Sequence, residues 1–260
     1  MSSAELYRRL GAKRLTARSV IASTLLGSTP PELPTRSLVG TAQLLGIAPG
    51  TARVAMSRMV TAGELEATGD GYRLVGPTLL ARQDRQARSR RGTTQPWDGD
   101  WQMFVVTGDA RPQSERVEFR ATMSGLRYGE LREGVWARPD NLTRTVDPCD
   151  LGPVGAFIAR PDRPVDLADS LWDLRGWAGR AGLLLAEIEG LLPPLESGDP
   201  ASLAEGFVVS AAVLRHFQAD PLLPPELLPD DWPGPELRAR YDAYDAAFRT
   251  TLVAWQHANR

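Results

Sequence analysis

The sequence predicts an α+β protein in three successive parts, from three observations. Apolar residues recur mainly at helical spacing through the first 90 residues and again after Val165, whereas the stretch between alternates short β-rich runs with one helix. Charge is segregated: residues 1–95 carry 14 Arg or Lys against 6 Asp or Glu, a balance of +8, and residues 96–260 carry 16 against 26, a balance of −10. A breaker cluster, Gly92-Thr93-Thr94-Gln95-Pro96, separates the basic head from the acidic remainder of the chain. The expected partition is 1–92, 93–164 and 165–260.

In the head, Leu15–Leu26 reads as a helix with Thr16 as N-cap, ended by Gly27-Ser28-Thr29-Pro30-Pro31. A second helix, about Thr35 to Leu45, runs into a Gly46-Ile47-Ala48-Pro49 turn. Thr51 opens a third helix, which Gly63 stops. Two short strands, Leu65–Thr68 and Tyr72–Leu74, flank Gly69-Asp70-Gly71, whose glycines can supply positive φ angles to a tight hairpin. This order is that of a winged helix-turn-helix. On the third helix Ala52, Ala55, Met56 and Met59 recur at i, i+3, i+4 and i+7 and face inward, leaving Thr51, Arg53, Val54, Ser57 and Arg58 outward. Arginine can grip guanine O6 and N7 or a phosphate, hydroxyls can bond bases or backbone, and valine can meet a thymine methyl. An amphipathic helix with solvated arginines has the same pattern, so the flanking turn, helix and wing are what favour double-stranded DNA as the partner. Arg36 on the preceding helix and Arg73 on the wing extend the candidate surface. Pro77–Arg91 predicts a further helix on which Arg82, Arg85 and Arg88 form one basic edge, followed by Arg90 and Arg91; it can track phosphates or serve as a solvated linker.

The middle part predicts a strand at Trp101–Val106, a helix at Ser114–Ser124, short strands at Leu126–Tyr128 and Gly134–Ala137 around a Gly-Glu-Leu-Arg-Glu loop, and a strand at Val154–Ala159. That order suggests a ferredoxin-like α/β sandwich. From Val165 the pattern is all-helical: one helix through about Leu192, a second at Leu203–Phe217, and a third at Glu236–His257 with Tyr241, Tyr244, Phe248, Leu252 and Trp255 on one side. Residues 221–234, PLLPPELLPDDWPG, are too proline-rich for regular structure, and their leucines and Trp232 are expected to pack over the helices as an ordered loop.

Several chemistries lack their residues. One cysteine, Cys149, excludes an intramolecular disulfide and a cysteine-cluster metal site, and two histidines, His216 and His257, disfavour a histidine-rich one. His216 reads as a helix residue satisfied locally rather than as a base. No P-loop, dinucleotide fingerprint or nucleophile triad motif occurs, so no cofactor is expected. No apolar run approaches ~18 residues and Met1–Leu15 lacks a signal-peptide core, which predicts a cytoplasmic protein without membrane partners.

Segments spread from about residue 15 to residue 250 resemble the PaaX family of bacterial transcriptional repressors, which control phenylacetate catabolism. They are LTARSVIASTLLG, PPELPTRSLV, GTARVAMSRMV, the GYRL wing, LREGVWARPDNL, and above all DPLLPPELLPDDWPG followed by ELRARYDAYDAAF. The resemblance implies a homodimeric repressor that binds a partly palindromic operator. Release would follow binding of an aryl-acyl-CoA such as phenylacetyl-CoA, or of another acyl-CoA or aromatic acid. It matches Arg53 and Arg58 to basic positions of the family's recognition helix and sets Arg36 near the DNA backbone.

An aryl-CoA needs an apolar slot and cations. Candidates are Trp172 and Arg175, which would be neighbours on a helix, with Arg132, Trp136 and Arg138; core tryptophans and ion-paired arginines fit these residues too. Two rival functions remain. One is a non-specific architectural DNA binder whose acidic body serves for dimerisation. The other is a metal-dependent nuclease using Asp109 after the first middle strand, although Asp109-Ala110-Arg111-Pro112 also reads as a plain turn.

Overall fold

The computed structural model describes residues 6, 8–11, 15–108, 112–143 and 147–258. It is α+β, with two small sheets and a helical C-terminal region. By contact density the chain divides into two compact units: Met1–Arg90 with Gly182–Arg215 and Glu236–Arg260, and Arg91–Ala181 with His216–Pro235.

In the first unit α1 (Ala17–Leu26) is capped by the predicted Thr16: its hydroxyl accepts from Ser19 N, and Ser19 Oγ accepts from Thr16 N. Strand β1 (Glu32–Pro34) leads into α2 (Thr35–Leu44). Helix α3 (Pro49–Thr61) starts two residues before the expected Thr51, because Pro49 occupies the first turn, where its fixed φ suits a helix and its missing N–H costs nothing. Gly63, with φ +68°, ends it as expected.

Strands β2 (Leu65–Ala67) and β3 (Gly71–Leu74) form the hairpin, and β1 adds to the far side of β3, giving the order β1-β3-β2. The hairpin differs from expectation in its glycines. Neither Gly69 nor Gly71 has positive φ. Gly71 is required instead by proximity: a Cβ there would overlap the Leu33 carbonyl of β1 and lie 2.7 Å from Pro34 Cα. Val20, Ile21, Leu25, Leu38, Ala42, Ala52, Met56, Met59, Leu65 and Leu74 are buried in this head. Helix α4 (Pro77–Arg91) comes next and is tied to α1 by Gln83 Nε2 donating to Leu26 O at 3.0 Å.

The second unit holds a four-stranded antiparallel sheet of β4 (Trp101–Val106), β5 (Gly129–Arg132), β6 (Val135–Pro139) and β7 (Val154–Ala159), ordered β5-β6-β4-β7. With α5 (Gln113–Gly125) between β4 and β5, this is the ferredoxin-like strand order. Between β6 and β7 the described residues form a short 3-10 turn, Pro148–Leu151, where a ferredoxin-like fold would carry its second helix. The Gly-Glu-Leu-Arg stretch expected as a loop is β5 itself. Leu126–Tyr128, expected as a strand, is the turn after α5, where Arg127 has φ +70°. Side chains alternate across the sheet. Phe104 and Trp136 pack with Met123, Tyr128 and Leu151 on one face. Trp101 and Ala137 pack on the other with Ala168, Leu174, Leu223 and Leu227.

The long helix expected after Val165 is two helices, α6 (Pro164–Leu171) and α7 (Leu174–Glu196). Trp172 leaves helical geometry and Asp173 caps the new helix, its Oδ1 accepting from Gly176 N at 2.8 Å. Helices α8 (Leu203–Gln218) and α9 (Gly234–Ala258) keep the expected pattern. The proline-rich segment is irregular apart from a 3-10 turn at Pro225–Leu227. Trp232 stacks on Trp177 of α7 at 4.4 Å, while Leu223 and Leu227 reach the sheet cluster.

Candidate nucleic-acid interface

Helix α3 carries the face that its periodicity predicts. Ala52, Met56 and Met59 are buried, and Thr51, Arg53, Val54, Ser57 and Arg58 are exposed, with Val54 52% accessible. Ala55, predicted to face inward with Ala52, Met56 and Met59, is half-buried. Among the described residues neither Arg53 nor Arg58 makes an ion pair, and Arg36, exposed on the first turn of α2, makes none either. Their guanidiniums keep all five donors for a ligand.

The other predicted basic residues are held differently. On β3, Arg73 Nε donates to Glu32 of β1 at 2.8 Å, and its Nη1 lies 3.8 Å from Glu66 of β2. The Arg73 hydrogen bond holds the Glu32 carboxyl below the usual carboxylate range. Arg73 therefore has two carboxylates of its own sheet to balance it. Arg82 is half-buried, and its pKa is lowered by desolvation first and then by the charges of Arg18, Arg215 and Arg85. Arg85 and Arg88 are exposed. Arg90, expected to continue the basic edge, faces α9: it bonds Asp242 at 2.9 Å and Asp245 at 2.7 Å, over the Tyr241 ring at 5.0 Å. Two carboxylates of α9 thus balance the Arg90 charge.

Helix α9 also reaches α2. The Trp255 indole lies against Gly40, where an added Cβ would touch its Cη2 and Cζ3 at 3.5 Å. Gln256 Nε2 donates to Thr41 Oγ1 at 3.4 Å, and Arg249 donates to the Gly27 carbonyl at the end of α1. Beside Trp255 opens a cavity of about 690 Å³ that Arg36, Val39, Gly40, Arg53 and Asp70 also line. The sequence pattern assigned Trp255 to an apolar helix face; nothing local in it signals a return to residues 40 and 41.

The predicted effector residues are not brought together. Trp136 is buried, edge-on to Phe119 at 6.0 Å, on the sheet face toward α5. Trp172 stacks on Trp101 at 6.3 Å on the opposite face. Because Trp172 ends α6 and Arg175 lies on α7, the two are not neighbours on one helix. Arg138 is 2% exposed, bonding Gln102 Oε1 at 3.0 Å with its guanidinium 4.9 Å from the Tyr128 ring centroid. Arg132 and Arg175 are exposed. Among the described residues no group of three or more His, Cys, Asp and Glu could hold a metal ion, and Asp109 lies outside them. His216 is buried, with its ring stacked on Trp177 at 4.2 Å.

Three family models match the chain in order: a PaaX-like protein model over residues 16–77, the central Cas2-like domain of PaaX proteins over 94–149, and the PaaX-like C-terminal domain over 172–258. The chain belongs to the PaaX family. It is thereby a member of a family of transcriptional regulators. An uncharacterized protein from Mycobacterium tuberculosis is 42% identical, with a TM-score of 0.75 over 92% of this chain and 98% of its own. No curated protein matches the chain. The Cas2-like model falls on the β4–β6 region of the sheet, and the N-terminal PaaX-like model spans α1 to β3. Among the described residues of this PaaX family member, no helix is long and apolar enough to cross a membrane.

Proposed function

We propose that this PaaX family protein is a homodimeric transcriptional repressor that reads a partly palindromic operator with α3 and is released by a small effector, of which an aryl-acyl-CoA such as phenylacetyl-CoA is the leading class. The observation that carries the DNA-reading part is the outward face of α3, where Arg53, Val54, Ser57 and Arg58 stand exposed and without carboxylate partners among the described residues. Arginine forks suit guanine edges in the major groove, and Val54 suits a thymine methyl. Arg36 at the start of α2 can position the head on the backbone, as can Arg85 on α4. Effector class, repression and dimerisation rest on the PaaX family's character, and the operon controlled is of the aromatic-acid type.

The test is footprinting and gel shift on DNA upstream of the protein's own gene, with a panel of CoA thioesters added. Protection of two half-sites one or two helical turns apart supports the reading. Uniform weak protection of any sequence sinks it in favour of a non-specific architectural binder. Release by one thioester and not by free CoA identifies the effector.

A further inference from the structure

The cavity beside Trp255 lies between α2, α3 and the end of α9. Part of its lining is apolar: the Trp255 indole, the buried Val39 and Gly40. The lining also holds Arg36 and Arg53, two guanidiniums against the single carboxylate of Asp70, so the cavity has a net positive charge. Its volume of about 690 Å³ falls within the range of small-molecule sites. We propose that it binds a small aromatic carboxylate, the ring against Trp255 and the carboxylate between Arg36 and Arg53, and that occupancy displaces DNA.

Each half of that ligand is matched by one set of lining residues. A guanidinium fork matches a carboxylate in plane and charge, which a neutral aromatic cannot exploit. An indole stabilises a ring by offset stacking and burial of apolar area, whereas an inorganic anion leaves the indole wet. Competition arises from shared residues. Arg36 and Arg53 are the cations assigned to the DNA backbone and a base, so a bound carboxylate occupies both at once. This regulatory half rests on the DNA-reading role of α3; the ligand site itself does not.

The full-length protein is titrated calorimetrically, at constant ionic strength, with benzoate, benzyl alcohol and inorganic phosphate. DNA binding is then measured by anisotropy with and without benzoate. Benzoate is expected to bind at one site per chain, and Arg36→Ala and Trp255→Ala to weaken it by about tenfold. Trp255→Phe, which keeps a ring, is expected to retain most of the affinity and controls for folding. Benzoate is also expected to raise the apparent Kd for DNA competitively. No saturable benzoate binding by protein that binds DNA overturns the site. Phosphate binding as tightly as benzoate overturns the aromatic class and leaves a DNA-phosphate subsite. Benzoate binding with the expected variant pattern, in protein that binds no DNA, supports the site and sinks the reading of α3 instead.

Discussion

At the scale of single residues, one helix separates function from stability. Met56 is fully buried and Arg53 fully outward three residues away. Arg53→Ala is expected to leave the melting temperature within a degree or two and to cost ~1–3 kcal/mol of binding at one operator position if it contacts a guanine. Equal losses on every sequence would mark a phosphate contact instead. Met56→Ala is expected to cost ~2–5 kcal/mol of stability in urea unfolding, from lost burial and the cavity it leaves. The hairpin glycines divide on other grounds. Gly71→Ala drives a methyl into β1 and is expected to destabilise by about 1–3 kcal/mol; Gly69→Ala, with nothing within 4 Å and ordinary φ, is expected to be near neutral. Comparable melting of the two variants would remove the packing account of Gly71. Glu32 offers a titration. Its folded pKa is lowered by the Arg73 hydrogen bond, so that bond's stabilisation is present above the unfolded carboxylate pKa and is lost as pH falls through the lower folded value. NMR titration should find Glu32 below its usual range in the wild type and restored toward it in Arg73→Ala.

At the scale of elements, local signals specified what local physics decides. The Thr16 cap, the α3 stripe and the Gly63 stop are matters of spacing within one or two turns, and the structure reproduces each of them. Strand β1 escaped notice because Glu32-Leu33-Pro34, between prolines, carries too little pattern to mark a strand; pairing with β3 makes it one. Trp172-Asp173 broke an expected helix for the converse reason. Leucines on both sides kept helical periodicity, so only the capping role of Asp173 distinguished two helices from one. The contact of α4 with α9 is likewise outside local reach, and it can be tested. Asp245 is nearly buried and shared by Arg90 and Arg249. Arg90→Ala leaves Asp245 one remaining partner, and about 1–2 kcal/mol of destabilisation is expected, reduced from the fully buried case because Arg90 is 30% exposed. Hydrogen exchange should rise in α4 and α9 first. Unchanged protection in both helices would mean that the pair carries no weight.

At the scale of the whole molecule, charge segregation makes a measurable demand. A +8 balance over residues 1–95 should make DNA affinity fall steeply with salt, with a slope of about −0.9 per phosphate neutralised. Arg36→Ala is expected to reduce the magnitude of that slope by about one, whereas Arg90→Ala should leave it unchanged, since Asp242 and Asp245 already hold that charge. Identical slopes in the two variants would contradict the assignment of Arg36 to the backbone. By itself, the sequence determined the helix-turn-helix and hairpin of the head, the outward face of α3 and the family, because periodicity, caps and segment order are written within a few turns of chain. Tertiary structure alone decided which sheet face Trp101 and Trp136 occupy, that Arg90 pairs with Asp242 and Asp245 of α9, and that Gln256 meets Thr41 from 215 residues away. Those facts depend on which distant surfaces bury one another, and no local spacing encodes that choice.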